Sequence, residues 1–95
     1  MITHIVMWRL KDENKEANKL EMKRLLEGLK GKVEALESIS VSFNDAQADP
    51  KNFEVILHTT FKDFDQLDAY AKHPEHLKVV DFIKSVVTER VAIDY

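Results

Sequence analysis

The sequence contains no cysteine. That excludes disulfides, thiolate metal sites and a cysteine nucleophile. With 2 glycines in 95 residues, a phosphate-cradling glycine loop has no material to be built from. A Gly-x-Ser-x-Gly nucleophile elbow is missing as well. Positive charge is not in excess either. The formal charge is -3, and basic residues alternate with acidic ones, so no basic face is offered to nucleic acid. No apolar run approaches the roughly 20 residues that span a bilayer. The start, MITHIVMWRLKDENK, has neither the basic leader nor the long apolar stretch of a signal peptide. These absences make a cytoplasmic protein with no membrane and no nucleic-acid partner the expectation.

What is present is globular in composition, with 44% hydrophobic and 33% charged residues. A chain of 95 residues is the size of one domain, 1–95. Residues 2–10, ITHIVMWRL, are β-branched, aromatic and apolar at nearly every position. Alternation sets Ile2, His4, Val6, Trp8 and Leu10 on one face and Thr3, Ile5, Met7 and Arg9 on the other. Both faces are apolar, as in a strand covered on both sides. The spacing of Met22, Leu25, Leu26, Leu29 and Val33 predicts a helix over 14–33, with Gly31 as a plausible terminator. Residues 37–44 alternate as a strand, with Ile39, Val41 and Phe43 on one side and serines on the other. After a polar loop, 53–61 form a third strand, with Val55 and Leu57 on one face and Ile56 and His58 on the other.

Asp63 is a natural N-cap, with Gln66 three residues on. A short helix is expected to follow it and to bury Phe64, Leu67, Tyr70 and Ala71. Pro74 cannot sit inside that helix but suits the first turn of a new one. The new helix is expected to bury Leu77, Val80, Ile83 and Val87, flanked by Val79 and Val86. A last strand covers 88–94. The order is βαββαβ, the α+β, ferredoxin-like arrangement of a four-stranded antiparallel sheet with helices on one face. The second face would then carry Ile5, Met7, Ile56 and residues of the last strand, an apolar patch that suits two-fold pairing with a copy. A monomer with a partly polar open face is the alternative, since Ser38, Ser40, Ser42, His58 and Thr60 share that face.

His76, Tyr70 and His4 are the candidate catalytic residues. A neutral imidazole at His76 exchanges protons near neutral pH. Tyr70, on the inward side of the short helix, offers a phenol to a carbonyl or enolate oxygen. His4 shares a strand face with Val6 and Trp8. With Val6, Trp8, Val55, Leu57 and Ile83 as apolar lining, these side chains predict a pocket between helices and sheet for a small apolar or aromatic molecule. The plainer alternative is that His76 packs, donating to a backbone carbonyl, and that Tyr70 is a core aromatic. His73 and His76 form His-x-x-His, but the first should cap a helix while the second points inward, so no metal site is expected.

HIVMWRLKD at 4–12, FEVILHTTF at 53–61 and above all YAKHPEHLKVVDFIKSVV at 70–87 resemble the stress-responsive A/B barrel domain family, also called the dimeric α/β-barrel domain. The resemblance covers essentially the whole chain, and its most specific part is Tyr-x-x-His-Pro-x-His. It implies a homodimer in which two ferredoxin-like units build a central barrel. Many members have no assigned activity, whereas plant polyketide cyclases of the family act without metal or organic cofactor, so no cofactor is implied. In cyclase-like members the second histidine of the motif acts as base and the tyrosine assists, which implies those roles for His76 and Tyr70, and His4 matches the histidine of the first strand. Cyclase-like members carry a further histidine on the third strand, where this sequence has Val55, so the implied pocket is more apolar. Three functions follow as expectations: a dimeric stress-type protein binding a small ligand, a cofactor-free cyclase or lyase, or an oligomerisation module. Fold similarity alone does not choose among them.

Overall fold

The computed structural model describes residues 1–95. Its elements run β1 (Ile2–Leu10), α1 (Lys15–Glu27), β2 (Ser38–Phe43), β3 (Val55–Phe61), α2 (Phe64–Lys72), α3 (Pro74–Val86) and β4 (Val87–Asp94). The strands form one antiparallel sheet in the order β2-β3-β1-β4, as the ferredoxin-like expectation requires. The apolar, β-branched β1 takes a central place between β3 and β4. In its register His4 faces Thr59 and Asp94, and Trp8 faces Val55 and Arg90.

The helices cover one face of the sheet, and the core lies between the two layers. Val6, Trp8, Leu10, Val55, Leu57 and Phe61 form its floor, and Met22, Leu26, Leu67, Val79 and Ile83 its roof. Residues of one strand parity therefore supply the floor, because successive side chains point to opposite faces. Fully burying each such side chain contributes about 1.5–3 kcal/mol. Polar anchors tie the layers at their edges. Lys15 at the start of α1 meets Glu54 at 2.6 Å, and Glu54 also accepts the Leu10 N–H at 2.7 Å. At the sheet edge the Glu27 carboxylate accepts from Lys23 and from the Val41 N–H. These donors hold the Glu27 carboxyl below its ordinary range, the Lys23 bond contributing most.

Three expectations about the helices need correction. Regular α1 stops at Glu27, not near residue 33. A Cβ at Gly28 would stand 3.0 Å from the Arg24 carbonyl. From there the chain continues in tighter turns, with Leu29 bonded to Leu26 and Lys32 to Leu29, and these still bury Leu29, Val33 and Leu36. In α2, Phe64 is 56% exposed and Ala71 is exposed too, leaving Leu67 and Tyr70 as its buried residues. In α3 the buried stripe is Val79, Ile83 and Val86, whereas Leu77 is 49% exposed. Because α3 packs on α1 as well as on α2, its inward face is turned toward Val79.

The outer face of the sheet is uncovered. Ile5 pairs with Ile93, and Met7 lies between Ile56 and Val91, making an apolar stripe across β3, β1 and β4. Ile93 is 61% exposed. Ser40 and His58 flank the stripe in register with Ile5. No helix is long and apolar enough to cross a membrane.

Candidate functional site

The site follows from a break in the chain between two helices. Tyr70 and His76 are six residues apart, which in one continuous helix puts them about 120° apart around the axis. Pro74 prevents that continuity. It lacks an N–H, and it disfavours helical geometry in the residue before it. His73 accordingly is extended, at φ -65° and ψ 134°. Its Nδ1 accepts the Glu75 N–H at 3.1 Å and caps α3, while Asp63 caps α2 by accepting from the Gln66 N–H at 2.9 Å. With the helix broken at His73, the Tyr70 and His76 rings meet with centroids 4.3 Å apart.

These rings border a cavity of about 670 Å³ between helices and sheet, within the range of small-molecule sites. Its floor includes His4, Val6, Trp8 and Leu57, and its helical side Leu67, Tyr70, His76 and Ile83. Seven of the eight site residues expected from the sequence thus border this cavity. The exception is Val55, which is buried under the helices but does not border the cavity. Asp94 was missed in the opposite sense: it faces His4 across β1 and β4 and accepts a hydrogen bond from its Nδ1. Antiparallel pairing of the first and last strands was the signal that could have found it. Phe64, Lys84 and Arg90 also border the cavity; periodicity marked Phe64 as buried and gave no signal for Lys84 or Arg90.

The hydrogen bonds fix which ring nitrogen of each histidine is free. His76 Nδ1 lies 3.0 Å from the Ala71 carbonyl. A carbonyl only accepts, so Nδ1 donates and Nε2 of the neutral ring keeps its lone pair. Likewise the Asp94 carboxylate fixes the proton of His4 on Nδ1. Burial pushes the His76 pKa down. The Ala71 bond opposes that, and His4, Arg90 and His73 reinforce it through charge. Neutral imidazole is thus the resting form near pH 7.

Tyr70 is 1% exposed, and its hydroxyl has no hydrogen-bond partner in the protein. Burial pushes its pKa strongly up, so the phenol stays protonated and acts as a donor. Phe61 packs against its other side at a centroid distance of 5.1 Å. The arrangement sets a fixed donor beside a fixed basic nitrogen in apolar surroundings. His73 spends its Nδ1 on the α3 cap, and no group of three or more His, Asp or Glu converges elsewhere to hold a metal.

Among known proteins, the chain is 22% identical over its whole length to the stress-response A/B barrel domain-containing protein DABB1 of Arabidopsis thaliana, covering 46% of that protein. The chain thus spans about half the length of this curated relative. A dimeric protein of unknown function and ferredoxin-like fold from Bacteroides fragilis superposes with a TM-score of 0.88 at 26% identity, over 99% of this chain and 93% of that one. Hydroxynitrile lyase from Passiflora edulis has the same fold at 13% identity, with a TM-score of 0.86 over 99% of this chain and 90% of the enzyme. Residues 2–95 match the Stress responsive A/B Barrel Domain, so the chain belongs to that family.

Proposed function

We propose that this protein is a homodimer whose cavity binds a small, mainly apolar molecule carrying a hydrogen-bond acceptor. The observation that carries the reading is the Tyr70 hydroxyl, a buried donor with no protein partner at the edge of an apolar cavity. Such a donor is costly unless something in the cavity accepts its hydrogen bond. The homodimer is supported by the stripe of Ile5, Met7, Ile56, Val91 and Ile93 on the uncovered face, and by the dimeric state of the Bacteroides fragilis neighbour. A role in assembly alone gives no reason for the donor and base beneath the helices.

One observation favours a second reading, cofactor-free lyase or cyclase chemistry. The Ala71 carbonyl holds the His76 proton on Nδ1 and leaves Nε2 basic next to the Tyr70 phenol. In that reaction Nε2 takes an acidic C–H proton next to a substrate carbonyl. The C–H electron pair moves into the carbonyl, and Tyr70 donates to the oxygen on which charge develops. The lyase neighbour shares architecture at 13% identity and lends this chain no chemistry.

Nitrogen-detected NMR of the four histidines, with and without phenolic and acyl ligands, tests the binding reading. One ligand class should shift the His76 resonances while leaving His58, on the far face of the sheet, unchanged. A His76 blind to every ligand would sink it. For the catalytic reading, His76→Ala must abolish turnover of an accepted substrate, and undiminished turnover would reject His76 as the base.

A further inference from the structure

The rim of the cavity carries five residues of formal charge, Asp68, Lys84, Glu89, Arg90 and Asp94. All three carboxylates are already engaged. Asp68 pairs with Lys72 at 2.9 Å, Glu89 with Arg9 at 2.9 Å, and Asp94 with His4. Neither cation has an ion-pair partner: Lys84 and Arg90 take part in none of the salt bridges or side-chain hydrogen bonds of the protein. Lys84 lies in the last turn of α3 and Arg90 in the strand that follows directly, and both border the same cavity. In register Arg90 stands opposite Trp8, and Asp94 opposite His4. Four residues of strand separate those positions, roughly 13 Å along the backbone, and Asp94 is engaged by His4 and not by Arg90.

Resting on the binding role proposed above, we infer that the ligand is an amphipathic carboxylate, its apolar body between Trp8 and the helices and its carboxylate held by Arg90 and Lys84. The guanidinium fork matches a planar carboxylate through two parallel hydrogen bonds, and Lys84 adds a second positive charge. Because the sequence is net acidic, at -3, this pair of cations without ion-pair partners runs against the charge of the molecule as a whole.

The single tryptophan forms part of the cavity floor, so its fluorescence reports occupancy directly. The probes are two matched sets, octanoate, 1-octanol and octylamine, and 3-phenylpropanoate with 3-phenyl-1-propanol, titrated at low and high salt. Each carboxylate should bind about tenfold more tightly than its alcohol at low salt, and octylamine most weakly. In the double variant Arg90→Gln, Lys84→Gln, with its fold checked by circular dichroism, acid and alcohol should bind alike and the alcohol should be unchanged. Acid and alcohol of equal affinity on the native protein would overturn the charge assignment while leaving the cavity reading intact. An acid preference that survives the double variant would overturn it too, by placing the anion elsewhere. If no probe in either set perturbs Trp8, the binding reading itself fails.

Discussion

Replacing Tyr70 by Phe separates a residue kept for a ligand from one kept for packing. The ring of Tyr70 is 1% exposed and sits between Phe61 and His76. Tyr70→Phe leaves those contacts in place and removes only the hydroxyl. That hydroxyl has no protein partner, and a buried unsatisfied polar group costs about 1–3 kcal/mol. Solvent that reaches the cavity recovers part of this cost, so the expected gain in stability is about 1 kcal/mol. For a domain of this size that corresponds to a rise in Tm of roughly 4–8 °C. The assay is calorimetry of both proteins at one fixed protein concentration, because the proposed dimerisation would make Tm concentration-dependent. The same variant should bind the best ligand of any responsive class roughly tenfold more weakly, as it cannot donate the hydrogen bond. Gain of stability with loss of affinity is the signature of a site held at structural expense. A Tyr70→Phe protein less stable than the parent would refute the reasoning, since the hydroxyl would then have a structural partner.

Three further outcomes follow from named contacts. Burial lowers the His76 pKa below its ordinary 6.5, so between that depressed value and 6.5 the unfolded chain binds more protons than the folded one. Stability should therefore be level in this respect above pH 6.5 and decline as pH falls below it. His76→Gln should remove that part of the decline in urea titrations run against pH, and identical profiles would contradict it. Asp63→Ala removes the side chain that accepts the Gln66 N–H and should cost about 1 kcal/mol in urea unfolding; no measurable cost would mean the α2 cap is dispensable. Met7→Asp sets a charge at the centre of the outer apolar stripe, between Ile56 and Val91. Sedimentation should then show monomer where the parent shows dimer, and an undisturbed dimer would place the interface on another surface.

Much of the fold was legible because one strand parity and two helix breaks control it. Alternation over residues 2–10 put His4, Val6 and Trp8 on the side that the helices cover, and the structure has β1 at Ile2–Leu10. Pro74 marked the start of α3 because proline is compatible with a first turn and with little else there. Less was legible where an apolar residue has more than one use. Phe64, Leu77 and Ala71 fit an amphipathic pattern yet are exposed, because periodicity marks an apolar face without saying what covers it. Val55 and Leu57 share a strand face, but Leu57 borders the cavity while Val55 is sealed under the helices. Only the placement of the helices distinguishes them. Asp94 lies 90 residues from its partner His4, and Arg90 acquires meaning only once β4 is set beside β1.

The division of labour between the faces of the sheet explains why the polar chemistry gathers where it does. A one-layer sheet with helices on one side has two apolar surfaces to cover. On the outer surface Ile5, Met7 and Ile93 alternate with the inward His4, Val6 and Trp8 through the strict parity of paired strands. A copy of the chain can cover the outer surface without disturbing any residue on the inner one. On the inner surface α1, α2 and α3 must complete the covering, and the break at His73 prevents α2 and α3 from doing so as a single straight rod. At that break the cavity is bordered by Tyr70 on one helix and His76 on the next. Donor and base therefore meet for one cause, the proline that ends a helix between them.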